Sequence, residues 1–199
     1  ANAALTAELF YELLLGEMTA SSGDPGTGYN LILDAARRSR DGRLYRRATE
    51  IALQARSGES ALAAARAWQQ ALPQSREANR YLLRILVALN RIGESAAPLR
   101  QELANAPTRD RIANIRALPL LYARASDKAL AARVVRQALE DELSHPAAGP
   151  AAWVAIGRMY FAADDKARTL EAAGNALALD ANDEGAAMLA LQLMEAGVA

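Results

Sequence analysis

The sequence has no cysteine and a single histidine, His145, in 199 residues. Without cysteine there is no disulfide and no thiolate nucleophile. A lone histidine cannot build a histidine-based zinc site, so neither a metal nor a cofactor is expected. Aromatic residues make up only 5% of a chain that is 52% apolar. An apolar content carried by Ala and Leu favours helices packed through small side chains over a large β core. Lysine is nearly missing, 2 against 21 arginines. Neither sign of charge is in excess, because 23 basic residues balance 23 acidic ones. That balance leaves no gross nucleic-acid footprint. No run approaches the ~20 apolar residues of a membrane-spanning helix, and no cleavable leader is visible.

The groupings that could carry catalysis fail one by one. The turn Gly23 to Gly28 spaces its glycines like a phosphate loop. It continues into Tyr29 and Asn30, where phosphate and magnesium binding need Lys and Ser or Thr. Ser60 and Ser95 lack a G-x-S-x-G elbow. The carboxylate clusters Asp164-Asp165 and Glu140-Asp141-Glu142 read as a turn and a solvated face. No enzyme is expected.

What is present is periodicity. Trp153, Ile156, Gly157 and Tyr160 fall at offsets 0, 3, 4 and 7, one face of a helix. Asp165 follows in a polar break and can cap a second helix. Leu170, Ala173, Ala176 and Leu177 continue at helical spacing. The tripeptide Gly-Glu-Ser occurs at 58–60 and again 35 residues later at 93–95. Aligned on this break, Asp24, Ser60, Ser95, Asp127 and Asp165 form a column of N-cap residues. Eleven residues on stand Ala35, Ala71, Ala106, Ala138 and Ala176. Eight residues before the caps stand Gly16, Ala52, Val87, Pro119 and Gly157.

These residues predict helix pairs over about 5–38, 43–72, 76–106, 109–143 and 151–179, with a final helix over 183–196. Each pair cannot bury its face alone and must stack on its neighbours, so 1–199 reads as one repeat domain. Pro73 and Pro107 close the second and third pairs, and Pro119 should kink the fourth. The linker Ser144 to Pro150, with two prolines and a glycine, reads as the loosest joint. The final helix is unusually apolar, which fits a piece of a longer chain.

The Trp153-x2-Ile156-Gly157-x2-Tyr160 signature and its ~34-residue period resemble the tetratricopeptide repeat. That resemblance implies an all-α, right-handed solenoid and a non-enzymatic scaffold that binds a protein or peptide. It also implies that the first helix of each pair lines a concave groove. Carried onto this register, the groove positions include Arg46, Arg56, Tyr81, Arg84, Arg91, Arg116, Arg158 and Phe161. Guanidinium groups there would suit an acidic peptide or a free carboxyl terminus. The bland alternative is that Arg56 and Arg91 serve helix C-termini. Two other readings stay open: a structural module that assembles with copies of itself, and a basic patch over Arg37 to Arg47 that binds nucleic acid. Residues 5–18 and 46–52 also resemble the start of proteobacterial tetratricopeptide lipoproteins that act as adaptors for a periplasmic carboxy-terminal processing protease. That likeness implies a periplasmic or outer-membrane-tethered chain, with a cytoplasmic one still open.

Overall fold

The computed structural model describes residues 7–197. Among the described residues there are eleven α-helices and no strand. They are α1 (Ala7–Ser21), α2 (Pro25–Ser39), α3 (Gly42–Gln54), α4 (Gly58–Ala71), α5 (Arg76–Ala88), α6 (Ala96–Ala104), α7 (Thr108–Leu121), α8 (Lys128–Ala138), α9 (Gly149–Ala162), α10 (Lys166–Leu179) and α11 (Glu184–Glu195). Tight turns at Ile92–Ser95 and Glu140–Glu142 lead into α6 and out of α8. The fold is an all-α, tetratricopeptide-like series of helix pairs. The expected start of the first helix at residue 5 lies outside the described residues.

Aspartates cap five of the eleven helices. Asp24 accepts a hydrogen bond from the Thr27 amide, Asp127 from Leu130, and Asp165 from Arg168, at 3.1, 2.7 and 3.0 Å. Each supplies an acceptor to an amide that the first turn leaves without one. Asp41 and Asp183 do the same for α3 and α11. The two serines of the expected cap column do not. Ser60 lies in the first turn of α4, which Ser57 precedes, and accepts from the Ser57 hydroxyl at 2.8 Å. Ser95 is buried and makes no capping bond. Its hydroxyl donates to the Ile92 carbonyl at 2.7 Å and lies 2.8 Å from the Tyr122 hydroxyl. A short hydroxyl with a better acceptor nearby leaves the helix end to the backbone.

The described chain divides into two compact units, one ending at Ile85 and the other beginning at Leu86. In the first, α2 packs on α1 and α3, and α3 on α4. Its core holds Ile32, Leu33, Tyr45, Ile51 and Trp68, with Ala36, Ala48, Ala64 and Ala78 between them. The Trp68 and Tyr81 rings stand 5.5 Å apart, tilted by 44°. Small residues permit the close approach. A Cβ on Gly28 would stand 2.7 Å from the Ala20 nitrogen and from the Gly16 carbonyl oxygen.

In the second unit, α9 packs against α7, α8, α10 and α11. Ile115, Tyr122, Val135, Leu139, Ile156, Leu189 and Leu193 are buried. Gly157 sits under Leu189 and Ala172, where any side chain would collide. Of the alanine column, Ala35, Ala106 and Ala176 are buried, while Ala71 and Ala138 are half-buried. α7 ends two residues after Pro119. The linker expected to be loosest is pinned. His145 Nδ1 accepts from the amides of Ala147 and Ala148, both at 3.2 Å. Trp153 Nε1 donates to the Leu143 carbonyl at 3.1 Å, and Gly149 and Pro150 are buried. Here the imidazole holds the turn that leads into α9, whose own N-cap residue, Ala148, makes no side-chain bond.

Candidate functional site

In the first unit, an ion-pair ladder runs between consecutive odd-numbered helices. Arg47 on α3 holds Glu17 on α1 with two parallel bonds of 2.6 Å. This fork geometry fixes the pair in both direction and distance. The guanidinium bond holds the Glu17 carboxyl below its ordinary range, against the opposing pull of partial burial. Arg46 reaches Glu77 on α5 at 3.2 Å and lies 3.8 Å from Glu50. The Tyr81 hydroxyl donates to Glu50 at 3.0 Å. Burial, chiefly, raises the Tyr81 phenol above its ordinary value. Arg46 and Tyr81 are thus brought together, but around carboxylates of their own chain. Arg84 follows Tyr81 by one turn on α5 and is exposed. Arg56 is exposed in the turn between α3 and α4, in the left-handed region at φ 54°.

In the second unit, Arg91 lies before the Ile92–Ser95 turn and holds Glu94 at 2.6 Å. Arg116 is exposed on α7, and Arg158 and Phe161 are exposed on α9, a neighbouring helix. Leu120, one turn beyond Arg116, is 80% exposed, and Phe161 is 36% exposed. Neither Arg116 nor Arg158 forms an ion pair with a described residue. The α7 and α9 surfaces therefore combine free guanidinium groups with large apolar side chains.

Sequence reasoning singled out the arginines but missed their carboxylate partners, Glu17, Glu50 and Glu77. The signal was there. The bonded pairs 17/47, 46/77 and 50/81 are separated by 30, 31 and 31 residues, close to one repeat. The Arg37 to Arg47 run is largely paired too, in part with near neighbours along the chain. Five of its six arginines are ion-paired, with Asp34, Glu12, Asp41, Glu77 and Glu17. Among the described residues, no three His, Asp or Glu side chains cluster to hold a metal ion. No described helix is long and apolar enough to cross a membrane.

No protein-family model matches the sequence, and no curated protein matches it. Solved structures do. MamA from residue 41 to its end, from Desulfovibrio magneticus RS-1, aligns over 91% of this chain and 99% of its own, at 12% identity and TM-score 0.50. The likeness is one of fold. PilW, described as a widely conserved type IV pilus biogenesis factor, covers 98% of this chain and 89% of its own at 17% identity and TM-score 0.44. YrrB, described as a TPR protein with an unusual peptide-binding site, covers 92% and 90% at 14% identity and TM-score 0.46.

Proposed function

We propose that the chain is a non-enzymatic scaffold that binds a peptide or a partner protein through the first helices of its pairs. The supporting observation is the exposed side of α7 and α9. Arg116 and Arg158 lack carboxylate partners there, beside the exposed Leu120 and Phe161. An apolar anchor flanked by guanidinium forks suits a segment that carries both a large side chain and a carboxylate. Arg84 and Arg56 extend the same chemistry in the first unit. Arg46 and Tyr81 act there by holding their own chain's carboxylates across neighbouring helices, and Arg91 in the second unit holds Glu94 within its own turn. An acidic or carboxy-terminal segment is the ligand chemistry this reading favours. The adaptor likeness of the first quarter makes a periplasmic processing protease one specific partner to include.

Site-specific photocrosslinking tests the reading. A benzophenone side chain is placed at Leu120 or Phe161, and adducts are collected from the source cell. A discrete heterologous adduct that weakens when Arg116 and Arg158 are both changed to Ala supports the scaffold. Adducts to nothing, or adducts indifferent to both arginines, remove it.

A second reading, self-association, has its own support. α1 exposes Phe10, Tyr11, Leu14 and Met18, and α11 exposes Met188, Leu191 and Met194. Each set recurs at helical spacing on one side of its helix. Apolar stripes of this kind mark association surfaces. Sedimentation of the chain at high micromolar concentration decides it: a monomer throughout would rule self-association out.

A further inference from the structure

The second unit holds another basic site, whose arginines come from second helices of the pairs. A cleft of ≈350 Å³ is lined by Arg133, Arg136, Gln137 and Glu140 beside Leu143, Tyr160 and Arg168. Arg133, Arg136 or Gln137, and Glu140 recur at helical spacing, so α8 and the turn after it supply one wall. α9 supplies Tyr160, and α10 supplies Arg168.

Two features separate this cleft from the rest of an arginine-rich surface. First, Arg133 and Arg136 form no ion pair with a described residue, although most of the arginines around α2 and α3 do. Second, the third guanidinium is held in place. Arg168 donates to Asp165 at 2.9 Å, and its carbon stands 5.7 Å from the Tyr160 ring centre. A planar cation anchored at one edge and resting near an aromatic ring is preorganised, so it loses less freedom when it takes an anion.

We infer that this cleft binds a short acidic segment of a partner protein, with carboxylates taken one by one on Arg133 and Arg136 beside the anchored Arg168. Three lining arginines stand against the lining Glu140 and against Asp165, which already holds Arg168. The charge match is therefore to a ligand with two carboxylates, one for each guanidinium without an ion-pair partner, Arg133 and Arg136. Side-chain carboxylates meet guanidinium forks in pairs. A nucleic acid fits worse. Its affinity comes from a track of cations along a backbone, and here the cations are confined to one cleft. The Tyr160 side chain is largely buried, so it offers no open platform for base stacking. The site is independent of the α7 and α9 face and stands or falls without it.

The experiment is fluorescence anisotropy on the full chain with a fluorescein-labelled hexaglutamate peptide. Hexaglutamine, glutarate and hexathymidylate serve as competitors. Saturable binding that weakens with added salt is expected. Changing Arg133 or Arg136 to Ala should weaken it about tenfold each, or ~1.4 kcal/mol. The Arg116→Ala, Arg158→Ala variant should bind as the parent does. Arg133→Gln with Arg136→Gln keeps side-chain length without charge and should lose affinity as the alanines do. The inference is overturned by the absence of saturable binding, or by unchanged affinity in the Arg133→Gln, Arg136→Gln variant. It is equally overturned if glutarate or hexathymidylate competes as well as unlabelled hexaglutamate. Loss in the Arg116, Arg158 variant would move the contact to the other face and also overturn it.

Discussion

The bond between Ser95 and Tyr122 offers the sharpest test of how the second unit is held. Ser95 is fully buried and Tyr122 is 1% exposed. The Ser95 hydroxyl donates to the Ile92 carbonyl, so at 2.8 Å the Tyr122 hydroxyl must be the donor of the pair. The two changes are therefore unequal. Tyr122→Phe removes a donor and leaves Ser95 still bonded to Ile92, so it should cost ~1 kcal/mol. Ser95→Ala leaves the Tyr122 hydroxyl buried with no acceptor, and the desolvation penalty raises the cost to ~2–3 kcal/mol. Combining them removes both polar groups at once. The double variant should therefore be no less stable than Ser95→Ala alone, a coupling of ~1 kcal/mol or more. Urea unfolding followed by circular dichroism measures all four corners of this cycle. In melting temperature, Ser95→Ala alone should lose roughly 4–12 °C at ~2–4 °C per kcal/mol for a chain of this size. Equal single costs that simply add would refute the assignment of donor and acceptor.

Four further outcomes are expected. Gly28→Ala should destabilise by ~1–3 kcal/mol because the new methyl meets backbone of α1. Gly174→Ala, in α10 with nothing within 4 Å of the new methyl, should stabilise by ~0.5–1 kcal/mol; thermal melts of the two variants should move in opposite directions. The Glu17 carboxyl is held below its ordinary value of 4.5 by Arg47, so its stabilisation is present above that value and fades as pH falls through the lower folded value. Glu17→Gln should flatten the acid limb of a stability profile by ~0.2–1 kcal/mol, with salt reducing the difference. Burial raises the phenols of Tyr29, Tyr45, Tyr81 and Tyr122, so stability should hold below their ordinary value of 10 and fall as pH rises beyond it. Absorbance at alkaline pH should then show these tyrosines ionising together with unfolding, not before it.

The helices were legible because their signals are local. An aspartate before an apolar period announces an N-terminus through one short bond, and Asp24, Asp127 and Asp165 each make it. The Gly-Glu-Ser tripeptide was a local signal of the wrong kind. Both copies do fall where a second helix begins, yet neither serine caps it, because Ser60 pairs with Ser57 and Ser95 with Tyr122. The Tyr122 contact spans 27 residues and belongs to packing, which no window along the chain displays. The arginines show the same limit at the candidate site. Their recurrence was visible, but whether a guanidinium is free depends on what stands opposite it in the next repeat. Arg46 and Arg47 meet Glu77 and Glu17, while Arg116 and Arg158 meet no described carboxylate. Charge pairs one repeat length apart are the readable trace of that difference. Applied to second helices, the same period also picks out Arg133 and Arg168, which are 35 residues apart and line one cleft. In a stacked fold, then, composition and period tell which side chains recur, and the carboxylate one repeat away decides which of them are left to bind something else.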